Sequence, residues 1–219
     1  MFVIDSDRHC HHQMDCLSAN GVDVIIRYYA RARQGGDFAE KILEPDEATA
    51  LSSKFFIAVC YQYNARSDAV FSKEQGLEDA RFARKYAAAT IKQPLNSAIY
   101  FGVDYDPHDT ALENNIVPHF RGIALGMSEA SADGYPQYDV GVYGAWQVCK
   151  RLKDASLTKY AWLSNSTGWG DHQGRKEYVD STQWTLLQKI RQQDLCGVDH
   201  DPNEVQTGIA SFGQFKAGP

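Results

Sequence analysis

The chain has 219 residues, 43% of them hydrophobic and 23% charged, and its 28 acidic and 22 basic side chains leave a net charge of −6. This length and composition describe one globular domain with a full core spanning residues 1–219, and one closed barrel suffices for a chain of this size. The chain lacks the basic stripe of a nucleic-acid binder, and its longest apolar run, Phe55 to Tyr61, is far too short to span a bilayer.

In chain order, the first predicted strand is Phe2–Asp7. Its opening, Met1-Phe2-Val3-Ile4-Asp5, has no basic region and meets a carboxylate at once, which does not read as a secretory leader. The five cysteines are odd in number and form no CxxC pair, so reduced thiols in the cytoplasm are expected. A Cys10–Cys16 bridge is the pairing left open for an oxidising compartment. Further predicted strands are Val24–Tyr29, Phe55–Tyr63, Ala98–Asp104, Asp139–Tyr143, Tyr160–Ser164, Thr185–Lys189 and a short one around Val198.

Helical signals lie between these strands. Glu44-Pro45-Asp46-Glu47 places proline and acids in a first turn, where orphan N–H groups and the helix dipole favour both. Ser72-Lys73-Glu74-Gln75 reads as a capping box ahead of Leu77–Ile91. Asn114–Met127 and Ala145–Leu152 complete the set. Strand–helix alternation repeated this often implies parallel strands with crossover helices. Eight strands in 219 residues point to a compact (β/α)8 TIM-type barrel with abbreviated last units, and a doubly wound open sheet is the alternative. Neither GxGxxG after the first strand nor GxxxxGK[ST] occurs, so the usual nucleotide signatures are missing. The tail Gly208–Pro219 reads as a loosely packed end.

Carboxylates gather where parallel α/β folds build active sites, at the C-terminal ends of strands. Asp5 and Asp7 end the first strand, Asp104 and Asp106 the fourth, and Asp199 and Asp201 follow the last apolar run. Residues two apart on a strand share a face, which would put Asp104 and Asp106 together inside the barrel beyond Tyr100 and Gly102. Such a pair suits glycoside hydrolysis, one carboxyl protonating the leaving oxygen and the other activating water or supporting positive charge. The same residues also serve as loop caps, and Asp106-Pro107 is a common turn start.

The cluster from Asp5 to His12 contains metal-competent side chains but matches no standard zinc signature, so no metal and no cofactor are assigned. Among aromatic residues at strand ends, Trp162 is the candidate sugar platform and Tyr28 a second contact, barrel packing being the other reading. Arg27 could hold a site carboxylate ionised, or equally form an internal ion pair.

The series Val3-Ile4-Asp5, Ile99-Tyr100-Phe101-Gly102-Val103-Asp104-Tyr105-Asp106, Val140-Gly141-Val142-Tyr143-Gly144, and Leu187-Gln188 followed by Gly197-Val198-Asp199 resembles the bacterial glycoside-hydrolase-like domain related to the family 25 lysozymes. Those lysozymes are (β/α) barrels that cut peptidoglycan between N-acetylmuramic acid and N-acetylglucosamine. The resemblance implies that Asp5 is the first-strand aspartate and Asp104 the aspartate of an Asp-x-Glu pair. Asp106 stands in place of the general-acid glutamate, Tyr143 lines the sugar site, Gln188 is the glutamine of a Trp-Gln-Tyr motif, and Asp199 is the last-strand aspartate. Aspartate at position 106 shortens the side chain by one methylene, drawing the carboxyl back by about 1.5 Å.

The resulting expectation is a peptidoglycan-directed, muramidase-like hydrolase, with Asp104, Asp106, Asp5 and Asp199 catalytic and Tyr143, Trp162, Gln188, Tyr28 and Arg27 binding substrate. An inactive glycan-binding barrel is the alternative, and a metal-dependent hydrolase the third. A monomer is expected, made in the cytoplasm and delivered by a non-classical route, as an antibacterial effector would be. An effector would also imply an immunity protein as partner.

Overall fold

A computed structural model describes residues 1–31, 39–62, 66–129, 134–189 and 193–218. Seven strands run parallel in sequence order: β1 Phe2–Asp5, β2 Val22–Tyr29, β3 Phe56–Tyr61, β4 Ala98–Gly102, β5 Asp139–Gly144, β6 Tyr160–Leu163 and β7 Leu186–Gln188. A short β8, Gln193–Leu195, precedes β9, Val198–Val205. β9 pairs antiparallel with both β7 and β1, which closes an eight-stranded mixed barrel, while β8 lies outside it as the partner of the first part of β9.

The antiparallel last strand departs from the all-parallel expectation for a covalent reason. A parallel return needs a crossover of about a dozen residues, usually helical. Here Leu195 pairs with Val198 across a two-residue turn, with Cys196 at φ 63° and Gly197 at φ 77°. Two left-handed residues in succession make the tight hairpin that suits the natural strand twist. β8 and β9 therefore form a tight hairpin with Cys196 and Gly197 at its tip, and the later part of β9 pairs with β7.

Helices α1 Met14–Ala19, α2 Pro45–Ser52, α3 Lys73–Lys85, α4 Val117–Ser128, α5 Trp146–Asp154 and α6 His172–Asp180 cover the barrel. α2 begins on Pro45, as the first-turn signal indicates, and the Ser72 side chain accepts a 3.1 Å bond from Gln75 N at the start of α3. α3 continues as a wider turn through Tyr86–Ile91. α1 and α6 both escape the sequence reading, each burying a single side chain, Leu17 and Tyr178.

Strand alternation divides the core in two. Val3, Val24, Ile26, Tyr28, Ala58, Cys60, Tyr100, Trp162 and Leu186 fill the barrel, whereas Ile4, Ile25, Tyr29, Val59, Ile99, Phe101 and Val142 pack against the helices. The C-terminal tail is no loose end. Phe212 is fully buried inside the barrel, its carbonyl accepts a 2.9 Å bond from Tyr100 Oη, and Phe215 bridges to Ile57. Between them Gly213 sits at φ 86°, and a Cβ there would lie 2.2 Å from Ala98 Cβ. With one end plugged by the tail, the other end is where the strand-end carboxylates meet.

A carboxylate-lined candidate active site

At that open end lies a cavity of about 250 Å3 lined by Asp5, Ser6, Asp7, Tyr28, Lys41, Gln62, Asp104, Tyr143, Gln188, Asp199, His200 and Asp201. Asp5 ends β1 at its floor and is almost wholly buried. Its carboxylate accepts from Tyr28 Oη at 2.9 Å, Asn203 Nδ2 at 2.8 Å and Gln188 Nε2 at 3.1 and 3.2 Å. These donors are themselves fixed. Tyr143 Oη donates to Gln188 Oε1 at 3.0 Å, and Trp162 Nε1 donates to Asn203 Oδ1 at 2.7 Å.

The barrel register brings the β1, β7 and β9 residues together: Asn203 stands opposite both Val3 and Gln188, and Asp201 opposite Asp5. Burial pushes the Asp5 carboxyl up to about 7, against the pull of Asn203 and with the help of the Asp201 charge. The bonds from Tyr28 and Gln188 also favour the ionised form, and desolvation outweighs them.

Asp104 lies on the rim beyond β4, part-exposed and 3.6 Å from Arg66 Nε. Burial raises its carboxyl above the usual range, opposed by Arg66, Lys41 and Gln62. Asp201 is raised by burial too, with His200 opposing and Asp7 reinforcing the shift. Around the barrel β9 is four strands from β4 in either direction, so Asp104 and Asp201 occupy opposite staves. Lys41 lies 4.3 Å over the Tyr28 ring and donates to Gln62 Oε1 at 2.8 Å, and burial lowers its ammonium pKa.

Asp5, Asp104, Asp199, Tyr28, Tyr143 and Gln188 thus come together, although Asp199 remains exposed. Asp106 does not join them. β4 stops at Gly102, so the two-residue alternation ends before reaching it. The exposed Asp106 carboxylate instead accepts from Gln147 Nε2 at 2.6 Å and Gly170 N at 2.9 Å, tying together the segments after β5 and β6. Arg27 also lies elsewhere. Adjacent strand residues face opposite ways, and with Tyr28 inside, Arg27 points to the helices.

The Arg27 guanidinium is fully buried and pairs with Glu47 through Nε and Nη2, each at 3.1 Å. It also donates to the Ser6 and Glu40 carbonyls. Of its two sequence readings, the internal ion pair is the one present. Trp162 is 1% exposed and packs on Tyr143, their ring centroids 4.6 Å apart, so it braces the cavity from below and offers no face to a sugar.

Sequence reasoning left out Lys41, Gln62, His200 and Asn203. Lys41 ends a short 3-10 turn, Ala39–Lys41, that nothing local marks. Gln62, in contrast, continues the inward alternation of Ala58 and Cys60 within the predicted strand Phe55–Tyr63, and that alternation could have found it. Asn203 is two residues beyond Asp201 on one strand, and that spacing was the available signal. The Asp5–His12 cluster divides: Asp5, Ser6 and Asp7 face the cavity, while His9 Nδ1 lies 3.2 Å from Glu47 Oε2. Tyr63 falls outside the described residues.

An eight-stranded barrel with helices between its strands and convergent carboxyls at one end defines a glycoside-hydrolase-like protein. The chain belongs to the family described as "Rv2525c-like, glycoside hydrolase-like domain", which matches residues 15–205. Among curated proteins it is similar to the uncharacterized protein FadG of Bacillus subtilis (strain 168), with 33% identity over 172 residues, 78% of this chain and 28% of FadG. The chain therefore spans less than a third of the length of such relatives.

Among solved structures it is similar to the Mycobacterium tuberculosis Tat-secreted protein Rv2525c, at 25% identity and a TM-score of 0.75, covering 97% of this chain and 98% of the other. The fold is shared with the modular autolysin LytC of Streptococcus pneumoniae, solved with a synthetic peptidoglycan ligand, at 14% identity and a TM-score of 0.55 over 92% of this chain and 46% of that one. It is shared too with a family 25 glycosyl hydrolase from Bacillus anthracis, at 11% identity and a TM-score of 0.52 over 96% and 90%.

The expectation of a cytoplasmic chain with reduced thiols and non-classical delivery is overturned. Rv2525c is Tat-secreted, which points to export rather than cytoplasmic retention. Cys16 of α1 and Cys196 of the hairpin tip form a disulfide, a bond that persists in oxidising compartments. Cys16 therefore does not pair with Cys10, which is buried and free along with Cys60 and Cys149.

Proposed function

We propose that this domain is an exported glycoside hydrolase that acts on peptidoglycan, with Asp104 as general acid. The observation that carries this reading is the Asp104 carboxyl, which opens to the cavity yet is held above the usual carboxylate range by burial. A group that keeps its proton closer to neutral pH can deliver it to a glycosidic oxygen. Asp201, on the opposite stave, would activate water or support charge at the anomeric carbon, with Asp5 beneath it as a buried proton holder. Tyr143 and Gln188 would orient the sugar by hydrogen bonds, and Asp199 would contact it at the mouth. Asp106, turned to Gln147 and Gly170, is given no part in proton transfer. Support for peptidoglycan as substrate comes from the shared fold with LytC, an autolysin that binds such a ligand.

The test is digestion of purified peptidoglycan, with the new reducing ends identified by mass spectrometry. N-acetylmuramic acid ends expected from the wild type would show a muramidase, and N-acetylglucosamine ends would reassign the bond cut. Absence of new ends across several peptidoglycan types and pH values would refute hydrolysis.

The diversion of Asp106 favours one second reading, a barrel that grips glycan without cutting it. Binding of soluble glycan fragments by both wild type and Asp104→Asn, with no turnover by either, would establish that reading.

A further inference from the structure

On the flank of the cavity, two histidines of the β1–α1 loop approach a glutamate of α2. One ligand-competent atom from each of His9, His11 and Glu47 lies within 4.8 Å of the others. His9 Nδ1 and Glu47 Oε2 are already 3.2 Å apart. Bonds of about 2.0–2.1 Å to a tetrahedral ion place neighbouring ligand atoms about 3.4 Å from one another, so one edge of such a site is set and the third ligand needs only a small side-chain rotation. His11 Nδ1 is buried and has no hydrogen-bond partner among the described residues. None of the three residues lines the carboxylate cavity.

We propose that His9, His11 and Glu47 bind a divalent transition-metal ion. Two imidazoles with one carboxylate suit zinc, copper or nickel, whereas calcium and magnesium require sets of oxygen ligands. Three protein ligands leave a fourth position for water. The carboxylate is pre-set from behind, since Glu47 Oε1 accepts from Arg27 Nε and from Cys10 N at 2.8 Å, and Arg27 Nη2 reaches Oε2. Fixed partners of this kind orient a ligating carboxylate.

The Arg27 charge also weakens the attraction for a cation, so the site is of moderate affinity. Cys10 Sγ is directed to the Arg8 carbonyl at 3.4 Å and is not among the gathered ligand atoms. Binding would fasten the loop that carries Ser6 and Asp7 to α2. The inference is independent of the reaction proposed for the cavity.

The test uses the full chain without a polyhistidine tag and zinc alone, measured by equilibrium dialysis with elemental analysis. One equivalent is expected for the wild type, with at least about a tenfold weaker affinity in His9→Gln and in His11→Gln, because even outer-shell changes cost about tenfold. His172→Gln, on the exposed start of α6, should bind as the wild type does. Copper-loaded wild type should show electron paramagnetic resonance couplings from two imidazole nitrogens, a readout that needs no variant to fold. Sub-stoichiometric zinc in the wild type, unchanged affinity in both variants, or a copper spectrum without two nitrogens would each overturn the proposal.

Discussion

Replacing Asp5 by asparagine should change the pH dependence of stability in a defined direction. The folded carboxyl is raised from 3.8 to about 7, mainly by burial, so between those values the folded protein holds a proton that the unfolded chain has released. The stability this contributes is complete below pH 4 and is lost as pH rises through about 7. Each pKa unit corresponds to about 1.4 kcal/mol, so the wild type should lose about 4 kcal/mol from this group across that window.

The Asp5→Asn change removes the titration but turns an amide N–H₂ toward one of the existing donors, Gln188 Nε2 or Asn203 Nδ2, at a cost of about 1 kcal/mol. The variant should therefore be about 1 kcal/mol less stable than wild type at pH 4 and about 3 kcal/mol more stable at pH 8. Urea unfolding at pH intervals between about 4 and 8 measures both. Parallel profiles for the two proteins would refute the claim that Asp5 is a desolvated, proton-holding carboxyl.

Arg27→Met should cost about 3–5 kcal/mol in the same unfolding assay, because it leaves Glu47 charged, buried and unpaired. The double variant with Glu47→Met should recover most of that loss, and failure to recover it would contradict the ion-pair reading of Arg27. Cys16→Ser should lower stability by about 2–5 kcal/mol and leave Cys196 titratable by a thiol reagent in the native protein, where the wild type shows no such thiol. Gly213→Ala should destabilise strongly in thermal unfolding, since the new Cβ meets Ala98 at a left-handed φ, and a neutral result would mean the tail does not plug the barrel.

The inner and outer layers of the barrel were legible because strand periodicity is a local property. Val24, Ile26 and Tyr28 alternate with Ile25, Arg27 and Tyr29, and the structure keeps that division. The same alternation shows that Arg27 and Tyr28, as neighbours, could not both face a sugar. Carboxylates at strand ends were equally readable, and Asp5, Asp104 and Asp199 do converge.

Long-range partners were not readable. The Cys16–Cys196 bridge joins residues 180 positions apart, and nothing near either cysteine names the other. Asn203 reaches Asp5 only because β9 inserts antiparallel between β1 and β7, a topology set by the two-residue turn at Cys196-Gly197. Asp106 escapes the strand-periodicity reading because β4 ends at Gly102, before the alternation can carry its side chain into the barrel.

The most direct test of the account compares Asp104→Asn with Asp106→Asn in release of reducing ends from peptidoglycan, with folding confirmed for both. Loss of a general acid costs about 100- to 10,000-fold, so Asp104→Asn should be nearly silent. Asp106→Asn keeps an acceptor for Gln147 or Gly170 and should retain most of the wild-type rate. Equal loss in both variants, or full activity in Asp104→Asn, would contradict the assignment of proton transfer to Asp104.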